Sequence, residues 1–198
     1  YTNAQNHRSS VDPTSTSMNG QNNTATGYFT LHYNNTGVGN SATGIYSLHN
    51  NISGSYNSAI GYHSLISNIS GSYNTANGYQ SLYYNNMGSY NTASGNQALF
   101  YNYNGTYNTA FGYKAMASAV DATNQTVIGY EATGQADNSV VLGNENVTAV
   151  YMGEDSGAKI YAGEGSFTGN ITIGGDVVVS SDARLKANIM SLGSTLAK

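Results

Sequence analysis

Residues 71–82 read GSYNTANGYQSL, and this stretch returns along the chain every seventeen residues. The core of the repeat, Asn-(Thr/Ser)-Ala-x-Gly, begins at Asn23, Asn40, Asn57, Asn74, Asn91 and Asn108. An altered seventh copy at residues 125–129 keeps the same spacing. A fixed period of this length is typical of stacked repeat proteins, in which each repeat forms one structural unit that packs on the next.

Two columns of small residues define one side of the repeat. The glycine column is Gly27, Gly44, Gly61, Gly78, Gly95, Gly112 and Gly129, and the alanine column is Ala25, Ala42, Ala59, Ala76, Ala93 and Ala110, followed by Val127. Side chains alternate along a strand, so Asn74, Ala76 and Gly78 share one face, and their small size predicts a narrow interior. The glycines predict a turn with positive φ or a close approach by a neighbouring chain.

A second run in each repeat carries one large apolar residue. This column is Leu31, Leu48, Leu65, Leu82, Leu99 and Met116, and it predicts the main apolar filling of the core. A second glycine set, Gly20, Gly37, Gly54, Gly71, Gly88 and Gly105, follows Asn-rich segments and predicts the turn between coils. Each coil is therefore expected to contain two short strands and two turns, and seven coils would give a rod about 33 Å long.

The distribution of charge favours stacking in register. Between Pro13 and Tyr113 the chain contains no Asp, Glu, Lys or Arg. Like charges placed above one another at a strand spacing of about 4.8 Å would repel, whereas stacked Asn side chains can form amide ladders. The strict period and the regular Leu and Ala columns also argue against a disordered low-complexity tract.

Composition restricts the classes of partner. The formal net charge is −4 and no basic cluster is present, so the electrostatic basis for binding nucleic acid is missing. No apolar run approaches the roughly twenty residues that a membrane-spanning helix needs. We therefore expect no nucleic-acid partner, no membrane insertion, no cofactor and no metal.

Changes in the pattern divide the chain into four segments. Residues 1–19 do not fit the repeat and are expected to form an N-terminal lead-in or cap, as stacked arrays need at their ends. The seventeen-residue repeats occupy residues 20–135, and residues 136–179 have shorter spacing and are expected to form a β-rich neck. Residues 180–198 differ from the repeats because they contain charged residues and helix formers, and they are expected to form a separate C-terminal segment. Because the chain starts with Tyr1, we expect further sequence upstream.

Two stretches carry a family resemblance. Residues 138–143, NSVVLG, resemble the Asn-Ser-Val-Ala-Ile-Gly motif of the β-roll heads of trimeric autotransporter adhesins, although the earlier copies are one residue shorter between Asn and Gly. Residues 181–189, SDARLKANI, resemble the start of the C-terminal intramolecular chaperone of endosialidases and other phage tail fibres. The resemblance covers about the last eighteen residues and implies a homotrimeric, self-cleaving fibre whose chaperone would continue beyond Lys198.

The same resemblance implies a catalytic dyad. Ser181 would be the nucleophile, Lys186 its general base, and the peptide bond between Ser181 and Asp182 would be cleaved. A serine hydroxyl needs such a base, and a lysine serves when burial or neighbouring charge lowers its pKa. The alternative is an ordinary strand-to-helix junction in which Ser181 or Asp182 caps a helix. Either way, cleavage would be a single processing event and not metabolic catalysis.

Other residue patterns have a structural alternative beside the functional one. His32 and His49 are one period apart and would stack, which suggests a pair of metal ligands. The same column continues with Ile66, Tyr83 and Phe100, which favours an aromatic or apolar role. Asp137, Glu145, Glu154 and Asp155 lack the spacing of a calcium loop, so we interpret them as solvated turn acids.

Repeated Tyr and Thr residues also have two interpretations. Tyrosine columns at residues 56, 73, 90 and 107 and at residues 62, 79, 113 and 130 would either present a sugar-binding surface or, as we favour, stack to stabilise the rod or an interface between chains. The Thr and Ser column at residues 24, 41, 58, 75, 92, 109 and 126 would resemble an ice-binding face, but the serines weaken that interpretation.

The sequence thus predicts an all-β chain, an elongated parallel β-solenoid or β-roll of seventeen-residue two-strand coils, assembled as a homotrimeric fibre. The expected function is the structural and adhesive shaft of a phage tail fibre or similar appendage on a virion or cell surface. Its expected partners are its own copies and a host-surface glycan or protein. The alternative is the head of a bacterial trimeric surface adhesin. An independent enzyme is disfavoured because the repeats lack ionisable groups for acid–base catalysis.

Overall fold

The protein forms a parallel β-solenoid in a computed structural model that describes residues 7–9 and 20–150. Within these residues, nine strands lie in one sheet in sequence order, and every neighbouring pair is parallel. They are β1 (His7–Ser9), β2 (Thr24–Thr26), β3 (Ser41–Thr43), β4 (Ser58–Ile60), β5 (Thr75–Asn77), β6 (Thr92–Ser94), β7 (Thr109–Phe111), β8 (Gln125–Ile128) and β9 (Ser139–Leu142). The predicted all-β parallel β-solenoid is confirmed.

The register of the sheet follows the sequence period. From β1 to β8 each residue pairs with the residue seventeen positions later, as in Ala59 with Ala76. Strand β1 already follows this offset, so the stack extends into residues 1–19, before the first clear repeat. Between β8 and β9 the offset falls to fourteen, with Gln125 opposite Ser139. A shorter coil therefore ends the described stack.

The apolar core is a narrow column of leucines and alanines. Leu31, Leu48, Leu65, Leu82 and Leu99 are fully buried, and the alanine column of the strands lies beside them. Met116 occupies the next place in the leucine column but is only half-buried. A third column, which changes from Ser81 to Ala98 and Ala115, is also buried. The predicted apolar filling is confirmed for the five leucines.

Two ladders of buried asparagines complete the interior. The first contains the Asn of each repeat core: Asn23, Asn40, Asn57, Asn74, Asn91 and Asn108. The second contains Asn34, Asn51, Asn68, Asn85 and Asn102. In the second ladder the Asn85 side-chain amide donates to the Asn68 side-chain oxygen over 2.9 Å. The amide ladder predicted for the repeat core is present, and the second ladder was not predicted.

The expected second strand is wrong for the described coils. Each coil has one three- or four-residue strand, and the leucine run is a series of bends. In this run Gln80 has a φ of 53° and Leu82 a φ of 48°, and the same left-handed positions recur in the other coils. Alternating left-handed residues curl the backbone too tightly for a strand. Hydrogen bonds between coils continue nonetheless, as from Leu82 N–H to the Ala98 carbonyl over 3.0 Å.

Both glycine columns lie against the next coil, but only one of them has a positive φ. Gly78 has a φ of 136°, so the predicted positive φ is confirmed for this column, and a Cβ on it would lie 2.5 Å from the carbonyl oxygen of Gly95, in the next coil of the same chain. Gly71 has no positive φ, but a Cβ there would lie closest to the Gly88 carbonyl oxygen of the next coil, and also 2.5 Å from the Asn68 side-chain oxygen and 2.7 Å from the Asn85 amide nitrogen. Glycine at this second column makes room for the asparagine ladder.

Candidate functional surfaces

The predicted dyad lies outside the described residues. Ser181, Lys186 and the expected cleavage point before Asp182 all follow residue 150, as do the acidic residues Glu154 and Asp155. The dyad and the homotrimer therefore stay predictions. The remaining candidate residues lie on the surface of the solenoid, where their geometry can be compared with each interpretation.

The first tyrosine column forms a continuous stack. Adjacent ring centroids of Tyr56, Tyr73, Tyr90 and Tyr107 are 5.0, 4.9 and 4.9 Å apart, and the ring planes differ by 16°, 5° and 6°. Each inner ring is covered on both faces by its neighbours, so mainly ring edges remain for solvent. Sugars pack their C–H groups on ring faces, so this geometry supports the stabilising role that we favoured for this column.

The second tyrosine column is interrupted. Tyr62 and Tyr79 stack with centroids 5.5 Å apart, and Tyr113 and Tyr130 stack at 5.4 Å. Asn96 occupies the place between the two pairs and is exposed. Ring stacking in this column therefore occurs in two separate pairs, each of which again covers one face of each ring.

The histidine pair is a stacked pair, as the repeat predicted. The His32 and His49 rings are 5.2 Å apart and nearly parallel, and His49 Nδ1–H donates to the Phe29 carbonyl over 2.8 Å. Burial lowers the pKa of His49, and the nearby His32 and His63 lower it further, whereas the hydrogen bond to Phe29 opposes the shift. Burial likewise lowers the pKa of His63. The stacked rings, and the use of His49 Nδ1 by the Phe29 carbonyl, fit the aromatic role of this column.

Asp137, Glu145 and Glu131 are acidic residues in the C-terminal coils of the described stack. One Asp137 carboxylate oxygen accepts the Thr123 backbone N–H at 2.8 Å and the Gln125 side-chain amide at 3.3 Å. Glu145 lines an open recess of about 540 Å³, and Glu131 lies in the same recess. Asp137 therefore satisfies donors where the offset changes, which fits the predicted role of a turn acid.

The Thr and Ser column does not form a regular two-column face. Its residues lie on the outer side of the strands, and the second outward column reads Thr26, Thr43, Ile60, Asn77, Ser94, Phe111 and Ile128. Size and polarity change from coil to coil in this second column. A flat, repetitive array of hydroxyl and methyl groups is therefore absent from strands β2 to β8.

A groove on the N-terminal coils was missed by the sequence analysis. It has a volume of about 520 Å³ and is lined by Tyr33, Asn35, Asn50, Ile52, Ser67, Ile69 and Asn86. These residues form two rows on either side of the second asparagine ladder. The available signal was a gap in a third aromatic column, where Asn50 and Ser67 replace the ring found at Tyr33, Tyr84 and Tyr101.

Metal and membrane features were searched within the described ranges. Residues 7–9 and 20–150 contain no group of three or more His, Cys, Asp or Glu side chains that could hold a metal ion. In the same ranges no helix is long and apolar enough to cross a membrane.

Comparison of the chain with protein-family models, curated proteins and solved structures gave no match.

Proposed function

We propose that this chain is part of the shaft of an attachment fibre, a phage tail fibre or similar appendage, which spaces and presents a host-binding surface. The observation that carries the proposal is the uninterrupted parallel stack of nine short strands in register. Backbone N–H and C=O groups form hydrogen bonds between coils, and the buried asparagine amides form hydrogen-bonded ladders. The repeats therefore build a rod whose length depends on the number of coils. Such a rod suits a spacer better than an enzyme, because its repeats offer no acid or base pair.

Self-association into a homotrimer is part of the proposal. One coil buries one Leu, one Ala and small polar residues, and burying a Leu contributes only about 1.5–3 kcal/mol. Ordering the backbone costs roughly 1–2 kcal/mol per residue. Large apolar side chains such as Ile60, Met87 and Phe111 remain exposed on the described surface. Contact between copies would bury such side chains and add the stabilisation that a thin coil lacks.

Maturation by self-cleavage is the third part of the proposal and is supported by the resemblance of residues 181–189. Lys186 would accept the proton of the Ser181 hydroxyl, and the bond between Ser181 and Asp182 would be hydrolysed. One water molecule is consumed, leaving a new carboxyl group on Ser181 and a new amino group on Asp182. The chaperone would thus leave the assembled fibre after folding.

Mass measurements on the full-length gene product test this proposal. Under denaturing conditions the wild type is expected to give two fragments, the first ending at Ser181, and under native conditions the fibre is expected to have three times the fragment mass. Ser181→Ala should remain uncut, whereas the neighbouring Ser180→Ala should be cut like the wild type. An uncut wild type would contradict the proposed Ser181–Lys186 dyad, and a native monomer would contradict the proposed trimeric fibre.

A further inference from the structure

The groove on the N-terminal coils is a gap in an aromatic column. Tyr84 and Tyr101 stack with centroids 5.6 Å apart, and Tyr33 occupies the same column three coils before Tyr84. Asn50 and Ser67 fill the two intervening places with short side chains. At about 4.8 Å per coil, the gap between the two tyrosine positions extends over about 14 Å. The missing rings leave room along the surface for a ligand.

The floor of the groove combines apolar and amide groups. Ile52 and Ile69 lie in adjacent coils of the second row and are 47% and 42% exposed, so they offer apolar surface to a bound molecule. Asn35 and Asn86 lie at the ends of this row. The groove therefore offers apolar contact along its centre and hydrogen-bonding groups at its ends and side.

The amides that line the groove have free hydrogen-bonding capacity. The buried ladder asparagines make several side-chain hydrogen bonds each, for instance Asn68 to Asn51 and to Gly71. Within residues 20–150, by contrast, no protein group pairs with the side-chain amides of Asn35, Asn50 or Asn86. Each amide can donate two hydrogen bonds and accept two, which matches a ligand rich in hydroxyl groups.

The electrostatics of the groove favour an uncharged ligand. None of the seven lining residues is Asp, Glu, Lys, Arg or His, and no Asp, Glu, Lys or Arg occurs between Pro13 and Tyr113. An anionic or cationic group would find no counter-charge on these coils and would lose hydration. A volume of about 520 Å³ is within the range of about 300–1,000 Å³ usual for small-ligand sites.

We propose that this groove binds an uncharged sugar unit of a surface glycan. Amides contact the hydroxyl groups, and Tyr33, Ile52 and Ile69 contact the C–H surface of the pyranose ring. The inference rests on the proposed attachment function and identifies its ligand class. It also separates the groove from the first tyrosine column, whose inner rings have a neighbouring ring on each face.

Saturation-transfer NMR with methyl glycosides of neutral hexoses and N-acetylhexosamines tests the proposal. Each sugar is added at a concentration on the order of 10 mM, which detects a Kd of a few millimolar. Sialic acid and hexose 6-phosphate serve as charged probes. The full chain is expected to show transfer to at least one neutral sugar and none to the charged probes.

Variants locate the binding surface. The double substitution Asn50→Tyr/Ser67→Tyr continues the aromatic column through the gap and should abolish the transfer. Asn96→Tyr fills the gap in another tyrosine column, outside the groove lining, and should leave binding unchanged. If the double variant folds poorly by circular dichroism, Asn50→Leu removes one amide at similar volume and should weaken binding about five- to tenfold, the value of one hydrogen bond.

Several outcomes would overturn the groove assignment without affecting the cleavage and trimer test of the proposed function. These are transfer to none of the neutral sugars, transfer to the charged probes alone, or unchanged binding by a folded double variant. A change in native mass caused by the double variant would also overturn it, because the groove would then be a contact between copies of the chain.

Discussion

Buried asparagine side chains carry much of the polar contact between coils. Asn74 shows the pattern: its side-chain amide donates to the Gly88 carbonyl over 2.8 Å, and its side-chain oxygen accepts the backbone N–H of Asn91 over 3.0 Å. Asn77, three residues later at the end of β5, is exposed and has no such role. The position in the coil, not the residue type, decides what an asparagine does in this protein.

Replacing Asn74 with Ala should therefore destabilise the protein by about 1–3 kcal/mol, because the buried N–H of Asn91 loses its acceptor. Asn77→Ala, three residues later in the same coil, should change the free energy of unfolding by no more than about 0.5 kcal/mol. Urea titrations of the two variants measure both values. Equal effects would show that the ladder does not contribute as described.

Two histidines with lowered pKa values, His49 and His63, make the stability of the N-terminal coils depend on pH. The pKa values of His49 and His63 are lowered from 6.5, so the folded chain binds fewer protons than the unfolded chain below that value. The aromatic rings packed against these two histidines are Phe29, His32, Tyr33, Tyr46, Tyr62 and Tyr83, and none is a carboxylate that could stabilise an imidazolium. Stability should fall as pH drops through about 6.5.

The urea midpoint is expected to be lower at pH 5.5 than at pH 7.5. His49→Phe removes one titrating group while keeping a ring like Phe100 in that column, so it should reduce this difference even if absolute stability changes. The range from pH 5.5 to 7.5 lies above the usual pKa of carboxylates, so carboxylates contribute little to the change in the urea midpoint. A midpoint that rises on acidification would contradict the described packing.

At the scale of the coil, one short strand and one curled leucine run make a repeating unit. The strand was predictable because the small residues alternate with exposed ones and recur at a fixed period. The curled run was not, because left-handed φ values at Gln80 and Leu82 are uncommon for such residues and leave no sign in composition. Identical coils above and below stabilise that conformation through backbone hydrogen bonds, which a single repeat does not reveal.

Leu82→Ala should cost about 2–5 kcal/mol, because the side chain is fully buried in a narrow interior. Met116→Ala, at the equivalent place in a later coil, should cost less than half as much because Met116 is only half-buried. Thermal or urea unfolding of both variants gives the comparison. Similar losses would mean that the leucine column continues unchanged through Met116.

Across the whole described stack, the register is constant until the offset changes from seventeen to fourteen residues at β9. The parallel order and the amide ladder of the repeat core followed from the period and the missing charges. The second ladder was harder to predict because adjacent asparagines, as in Asn85-Asn86, give no indication of which one is buried. The groove was also hard to predict, because it lies where the short side chains of Asn50 and Ser67 leave space in an aromatic column. A repeat pattern shows the residues that recur and does not show such a gap.

Deleting one complete coil tests most directly whether the seventeen-residue units are interchangeable parts of a rod. Removing residues 74–90 joins Tyr73 to Asn91, restores the Tyr-Asn junction of the repeat and should leave a folded protein about 5 Å shorter by small-angle scattering. Removing residues 74–82, about half a coil, breaks every column and should abolish cooperative unfolding. If the full-coil deletion loses its β-sheet circular dichroism as completely as the half-coil deletion, the description of the chain as a stack of equivalent coils is wrong.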